Sequence, residues 1–191
     1  YAFTGSESAA EFGTTSIVAP IVEEALKGLA VLVVFFLFRK EFDSILDGIV
    51  YAAIAAMGFA AIENVLYIYR NGYQGSGWEG FWTMVFIRVL LVGLMHPFFT
   101  AFTGIGIAVS RTNKNLPVKV LAIPLGFMFA VFTHSFHNTF SNMIGGSSSF
   151  ILGLIADYFG YICMLGFIIW MILRERNILK KQLAEEVNNG A

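Results

Sequence analysis

The sequence predicts an all-helical integral membrane protein, a bundle of about five transmembrane helices. Three observations carry that prediction. The 191-residue chain is 57% hydrophobic and only 13% charged, where an ordinary soluble domain is about 25% charged. Its mean hydropathy is +0.72. Five apolar stretches recur along it, each reaching the ~20 residues that cross a bilayer as a helix. Open strands are excluded in lipid, because their edge groups would stay unpaired.

The stretches run over roughly 14–38, 45–69, 80–110, 118–143 and 149–173. The third is long and must tilt, kink or begin in the interface. Pro97 favours a kink, because it offers no N–H to the carbonyl of Gly93 and its ring clashes there. Pro20 and Pro124 lie nearer to helix starts and disturb less. The second stretch is rich in small residues (Ala52, Ala53, Ala55, Ala56, Gly58, Ala60, Ala61), which let backbones approach closely in lipid. That places it at the bundle centre, with Gly93, Gly104 and Gly106 suggesting the same for part of the third. Gly145 to Ser149 reads as a flexible loop, and the tail from Arg174 to Ala191 as a frayed, solvated helix end. A single domain over 1–191 is the simplest organisation. The chain begins at Tyr1 without methionine, so it reads as a processed or trimmed fragment that could lack upstream spans.

Basic residues set the expected orientation. Arg39, Lys40, Arg111, Lys114, Lys119, Arg174, Arg176, Lys180 and Lys181 fall on one side, and only Arg70 on the other. The positive-inside rule then puts the N-terminus outside and the C-terminus in the cytoplasm. Tyr69, Tyr73, Trp78 and Trp82 fit an outer aromatic belt, and Trp170 an inner one. Without a basic stripe beyond the span flanks, nucleic acid is excluded as a partner. The lone Cys163 cannot form an internal disulfide.

Ionisable residues inside apolar spans point to a site. Each costs about 2.5 kcal/mol or more in hydrocarbon even on lenient insertion scales. Glu23, Glu24 and Lys27 lie in the first span, with Lys27 at i+4 and i+3 from the two acids. Lys27 can neutralise one carboxylate and leave the other free as a base. A buried ion pair that merely fixes helix register fits two acids beside one base poorly. Glu63 in the second span is a candidate metal ligand or second base. Asn64 and Tyr67 could orient a carboxylate or an oxyanion, although Tyr67 alone reads as part of the belt. His96 lies in the third span, with Arg88 two turns earlier and assigned to the outer interface. In the fourth span His134 and Asn138 share a face at i,i+4, and His137 is turned aside. His134 can bind a metal or a water, and Asn138 can donate to an oxyanion. Asp157 in the fifth span reads as an outer-end residue. Counting from the outer helix ends, Glu23, Glu24, Glu63 and His134 share a slab roughly 9–15 Å deep, with His96 deeper. Glutamates and histidines without a cysteine ligand suit zinc or another divalent ion, and equally a metal-free, glutamate-activated water.

Four blocks occur in order over residues 23 to 138: Glu23-Glu24-x-x-Lys27, Phe59-x-x-x-Glu63-Asn64, His96, and His134-x-x-x-Asn138. In them the chain resembles the PrsW-type intramembrane proteases, within the superfamily of CAAX prenyl proteases and bacteriocin-immunity-type membrane proteases. The CAAX relatives end the second block in His, where this chain has Glu63, so the likeness points to the PrsW branch. The resemblance implies hydrolysis of a peptide bond in a membrane-anchored protein, such as a single-span anti-sigma factor cut from its extracytoplasmic side. It implies a bacterial or archaeal cytoplasmic membrane and either a metallo- or a glutamate-type mechanism.

The expected assignment follows. Glu23 or Glu24 activates the water. Glu63, His96 and His134 bind a divalent metal, zinc first, or hold that water directly. Asn138 stabilises the oxyanion, and Lys27, Asn64 and His137 support the site. Two other classes share these residues. A proton- or ion-coupled transporter would need a path open to each face in turn and internal repeat symmetry, which the sequence does not show. A silent membrane scaffold would tolerate loss of Glu23 and Glu24.

Overall fold

A computed structural model describes residues 6–142 and 147–188, and among them every regular element is helical. The expected chain start and the Gly145–Gly146 part of the expected loop lie outside the described residues.

Helix α1 (Glu7–Gly13) opens on Ser6, whose Oγ accepts from the Ala9 N–H at 3.2 Å. A π-helical turn, Thr14–Val18, carries it into α2 (Ala19–Leu37) without leaving helical backbone angles. Pro20 lies near the start of α2, but the π turn runs into it unbroken, so its missing N–H leaves a carbonyl of that turn without a helical donor. Helix α3 (Ile45–Tyr67) begins with a reciprocal cap. The Ser44 N–H donates to Asp47 Oδ2 at 2.8 Å, and the Asp47 N–H to Ser44 Oγ at 3.2 Å. That satisfies two donors no helical carbonyl can reach.

Beyond α3 the chain departs from expectation. The expected Gly-rich outer loop is largely helical: a π turn (Ile68–Tyr73) leads into α4 (Gln74–Val85). The reversal is confined to Ser76 and Gly77, and Gly77 has φ of +61° and ψ of −142°, a conformation only glycine adopts cheaply. Aromatic rings gather at this turn, with Tyr73 and Trp78 centroids 5.2 Å apart and Trp78 and Phe81 5.3 Å apart. A further π turn (Phe86–Leu91) follows. Helical geometry then lapses over Val92–Leu94 before α5 (Met95–Thr112). The third expected span is therefore two helices, not one kinked one. Pro97 is not the kink itself. It lies in the first turn of α5, where it begins a new helix at no hydrogen-bond cost.

Helix α6 (Leu116–Asn142) runs straight through Pro124, which is interior rather than near its start. Helix α7 (Ser147–Asn188) continues well past the apolar stretch, so the expected frayed tail is helical as far as it is described. Three stretches are long and apolar enough to cross a membrane: Ile45–Thr112, Leu116–Ser141 and Phe150–Asn188. The first includes the reversal at Gly77.

The centre is α5 rather than α3. It packs on α2, α3, α6 and α7, and buries ten residues from Met95 to Ala108. Gly48 of α3 and Gly104 of α5 lie against each other, and a Cβ on either would enter the other's backbone carbonyl. This contact brings the Glu63 helix and the His96 helix together. Val31, Phe42, Ala52, Ile107 and Ala108 form the main apolar core. Large apolar side chains such as Phe36, Ile62, Leu90, Phe132 and Phe159 instead point outward, each more than two-thirds exposed or close to it, as a lipid-facing surface requires.

Candidate active site

Helices α2, α3, α5 and α6 bring their polar residues to one cavity of about 290 Å³. Glu23, Glu63, His96, His134, His137 and Asn138 line it. Six of the nine residues expected from the sequence thus share one chamber. Glu24, Lys27 and Asn64 stand behind it.

The two acids of α2 have different surroundings. Glu24 is fully buried, and both carboxylate oxygens are occupied. Oε1 accepts from Lys27 Nζ at 2.8 Å and meets His134 Nδ1 at 2.9 Å, while Oε2 accepts from the Thr100 hydroxyl at 2.8 Å. A carboxylate only accepts, so His134 carries its proton on Nδ1 and its Nε2 lone pair is free. Glu23, a helical step of about 100° away, keeps 19% of its side chain exposed. Its Oε2 is 3.3 Å from Lys27 Nζ and 3.7 Å from His134 Nε2. Lys27 is 1% exposed and its ammonium lies 4.5 Å from the centroid of the Phe59 ring. Charged side chains are fully buried only when paired, and here one lysine serves two acids and a histidine.

His96 has both ring nitrogens engaged. Lys27 Nζ is 2.9 Å from Nδ1, and Glu63 Oε2 is 2.9 Å from Nε2. An ammonium only donates, so Nδ1 accepts and the proton on Nε2 faces Glu63. The ring of Phe99 stacks on His134 with centroids 4.8 Å apart and fixes its plane.

Arg88, assigned to the outer interface by the sequence, is instead a member of the site. Its Nη2 donates to Glu63 Oε2 at 2.7 Å and its Nε to Asn64 Oδ1 at 2.8 Å. Its guanidinium carbon lies 4.0 Å over the Tyr67 ring. Glu63, Asn64 and Tyr67 form one face of α3, and the Phe86–Leu91 π turn carries Arg88 onto it. Asp157, expected near an outer end, has a partner that the sequence did not show. It is buried and accepts from His137 Nδ1 at 2.6 Å, while His137 Nε2 meets the Ser141 hydroxyl at 3.1 Å. Asn138 donates its amide to the Thr15 carbonyl at 3.0 Å, inside the Thr14–Val18 π turn. Two of these partners had a legible signal: an arginine within an apolar run is a site candidate by default, and Thr100 lies one turn beyond His96. Thr15 and Ser141 had none.

Among the described residues, one trio of donors fits a divalent metal. Glu23, His96 and His134 each offer one ligand atom, and the three atoms lie within 4.8 Å of one another. Two imidazoles and a carboxylate suit catalytic zinc. Glu24 on His134 Nδ1 is the carboxylate partner that orients a ligating imidazole. The sequence had placed Glu63 in the trio and Glu23 outside it. Here Glu63 is the partner of Arg88 and His96.

Apolar outward surfaces around a shared Glu–His–Arg chamber, with Lys27 behind it, define a helical membrane protein with a polar interior site. Residues 2–173 match the PrsW family of intramembrane metalloproteases. Similar relatives are each described as Protease PrsW. That of Oceanobacillus iheyensis is 31% identical over 132 residues, 69% of this chain and 54% of the relative. That of Bacillus subtilis is 27% identical over 156 residues, 81% of this chain and 61% of the relative. That of Geobacillus kaustophilus is 36% identical over 87 residues, 45% of this chain and 34% of the relative. The chain thus spans about half the length of the curated relatives it matches. No solved structure matches it. The chain belongs to the PrsW family.

Lys27 is the charge on which three groups depend. Lys27→Met keeps the stem volume but leaves Glu24 buried beside only Thr100 and His134. Breaking a buried ion pair by removing one partner costs about 3–5 kcal/mol. Thermal unfolding in detergent should show a large fall in melting temperature, and an unchanged value would contradict the network.

Proposed function

We propose that this chain carries the active site of an intramembrane endopeptidase that cleaves membrane-anchored proteins. The observation that carries the reading is the division of labour among the carboxylates. Glu24 is saturated and structural, whereas Glu23 and Glu63 face the cavity. Glu23, His96 and His134 would hold a divalent metal, zinc by donor type, with the proton on His96 Nε2 released on binding. Such an ion supplies Lewis-acid polarisation of a carbonyl oxygen and lowers the pKa of water.

The chain's own groups do the rest. Glu63 takes a proton from the attacking water as its oxygen adds to the scissile carbonyl. Asn138 keeps one amide hydrogen on Thr15 and offers the other to the developing oxyanion. As the carbon–nitrogen bond breaks, Glu63 returns the proton to the leaving amine. Glu24 holds His134 in one tautomer throughout. This reading exchanges the parts of Glu23 and Glu63 expected from sequence, because Glu23 is the acid beside both imidazoles.

We further propose five crossings in one domain of a bacterial cytoplasmic membrane, with the N-terminus outside and the C-terminus inside. The nine-to-one basic asymmetry supports that orientation, as does the aromatic cluster at the Gly77 turn. An anti-sigma factor is one substrate of the right kind, a single-span protein cut from its outer side.

Two measurements test the reading. The purified chain, reconstituted with a panel of single-span proteins tagged on the outer side, should release tags. Glu23→Gln and Glu63→Gln should each slow release at least about 10²-fold with melting behaviour retained, since general-base catalysis alone is worth about 10²–10⁴-fold. Zinc at one per chain should be lost in His96→Ala and His134→Ala. Near-normal release by both glutamine variants would refute the mechanism. For orientation, Gln74→Cys should label from outside and Asn113→Cys only from the cytoplasm. The reverse pattern would overturn it.

A further inference from the structure

The peptide reaction above gives no part to His137, Asp157 or Ser141. His137 and Asp157 are buried inside apolar helices, at 8% and 6% exposure. Ionisable side chains there are costly and mark function by default. His137 Nδ1 is 2.6 Å from Asp157 Oδ2, and its Nε2 is 3.1 Å from the Ser141 hydroxyl. A carboxylate only accepts, so the ring proton sits on Nδ1. The Nε2 lone pair then takes the hydroxyl hydrogen of Ser141.

Hydroxyl, imidazole and carboxylate thus stand in the order that activates a serine. The nucleophile and its base are within hydrogen-bond reach, and a third group orients the base. One turn of α6 sets Ser141 beside His137, and α7 brings Asp157 to the far nitrogen. A tie between α6 and α7 needs only the Asp157 contact. Here the hydroxyl end opens on the cavity, which His137, Asn138 and Ser141 all line. Asn138 lies one turn from Ser141 and spends one amide hydrogen on Thr15, which leaves the other for an oxyanion. The cavity's volume of about 290 Å³ and its Met95, Phe99 and Phe150 wall suit a short acyl chain.

We propose that Ser141, His137 and Asp157 form a second nucleophilic centre in this cavity, one that hydrolyses short-chain carboxylic esters without a metal. Ser141 Oγ adds to the ester carbon as its proton passes to His137 Nε2, and Asp157 stabilises the imidazolium. The carbonyl electron pair moves onto oxygen, where Asn138 donates. As the carbonyl re-forms, the alkoxy C–O bond breaks and the alcohol leaves with the Nε2 proton. Water then adds to the acyl carbon and gives a proton to Nε2. The Oγ–acyl bond breaks, Ser141 takes that proton back, and the carboxylic acid departs. The two reactions share the cavity and Asn138 but not the proton acceptor.

The test is labelling of the purified full chain in detergent with a fluorophosphonate probe, the modified residue being mapped by peptide mass spectrometry. One adduct per chain should form, on Ser141, with fluoride expelled. Ser141→Ala should remove it. His137→Gln and Asp157→Asn should slow labelling at least about 10²-fold, the usual loss with a general base. The heat-denatured chain should not label, so the folded parent reports even if those two variants do not fold. EDTA should leave the labelling rate unchanged, whereas the metal reading above requires that it stop tag release, so the two proposals fail separately. A folded parent without an adduct on Ser141 overturns the proposal. So does an adduct that forms equally on the denatured chain, or one that EDTA abolishes.

Discussion

A single buried carboxylate organises the site. Glu24 lies at 0% exposure and reaches two helices besides its own: α5 through Thr100 and, by way of Lys27, the His96 ring, and α6 through His134. In lipid such a charge is tolerated only if its lone pairs are met. Each partner is therefore placed by Glu24's need for it. The result is a His134 ring whose contacts assign one tautomer and a His96 ring held at both nitrogens. A residue that contributes no surface to the cavity thus determines what the cavity-facing groups can do.

The same logic explains why two adjacent glutamates take different parts. One helical step turns Glu23 towards the cavity and Glu24 into the seam between helices. Chemistry at this site needs both: a fixed carboxylate to orient an imidazole and an accessible one beside it. The α3 side repeats the pattern with different atoms. Glu63 faces the cavity, Arg88 binds its carboxylate, and Asn64 and Tyr67 fix Arg88. The close Gly48–Gly104 approach ties the two halves together, because it sets how near α3 can bring Glu63 to His96 on α5.

Much of this was legible in the chain. Charge inside apolar spans marked Glu23, Glu24, Lys27, Glu63, His96 and His134, and all belong to one connected set. The helical class followed from composition. What stayed hidden depended on local backbone geometry. The π turn over Phe86–Leu91 rotates Arg88 inward, and no periodicity announces such a turn. The break at Val92–Leu94 precedes Pro97 rather than following from it, since proline opens α5. The Thr15 carbonyl that takes the Asn138 amide lies in the π turn over Thr14–Val18, five residues before Pro20, which has no N–H to give it. Spacing shows that Glu23 and Glu24 can each meet Lys27, but not which of them α5 and α6 will enclose. The pairing of Asp157 was not legible because its partner, His137, lies on another helix.

The claim that Glu24 governs the site is most directly tested by the protonation of His134. Nitrogen-15 NMR of histidine-labelled protein in lipid distinguishes the two neutral tautomers and the doubly protonated ring. The account predicts a neutral His134 protonated at Nδ1, and loss of that signature in Glu24→Gln. A ring protonated at Nε2, or an unchanged spectrum in Glu24→Gln, would contradict it.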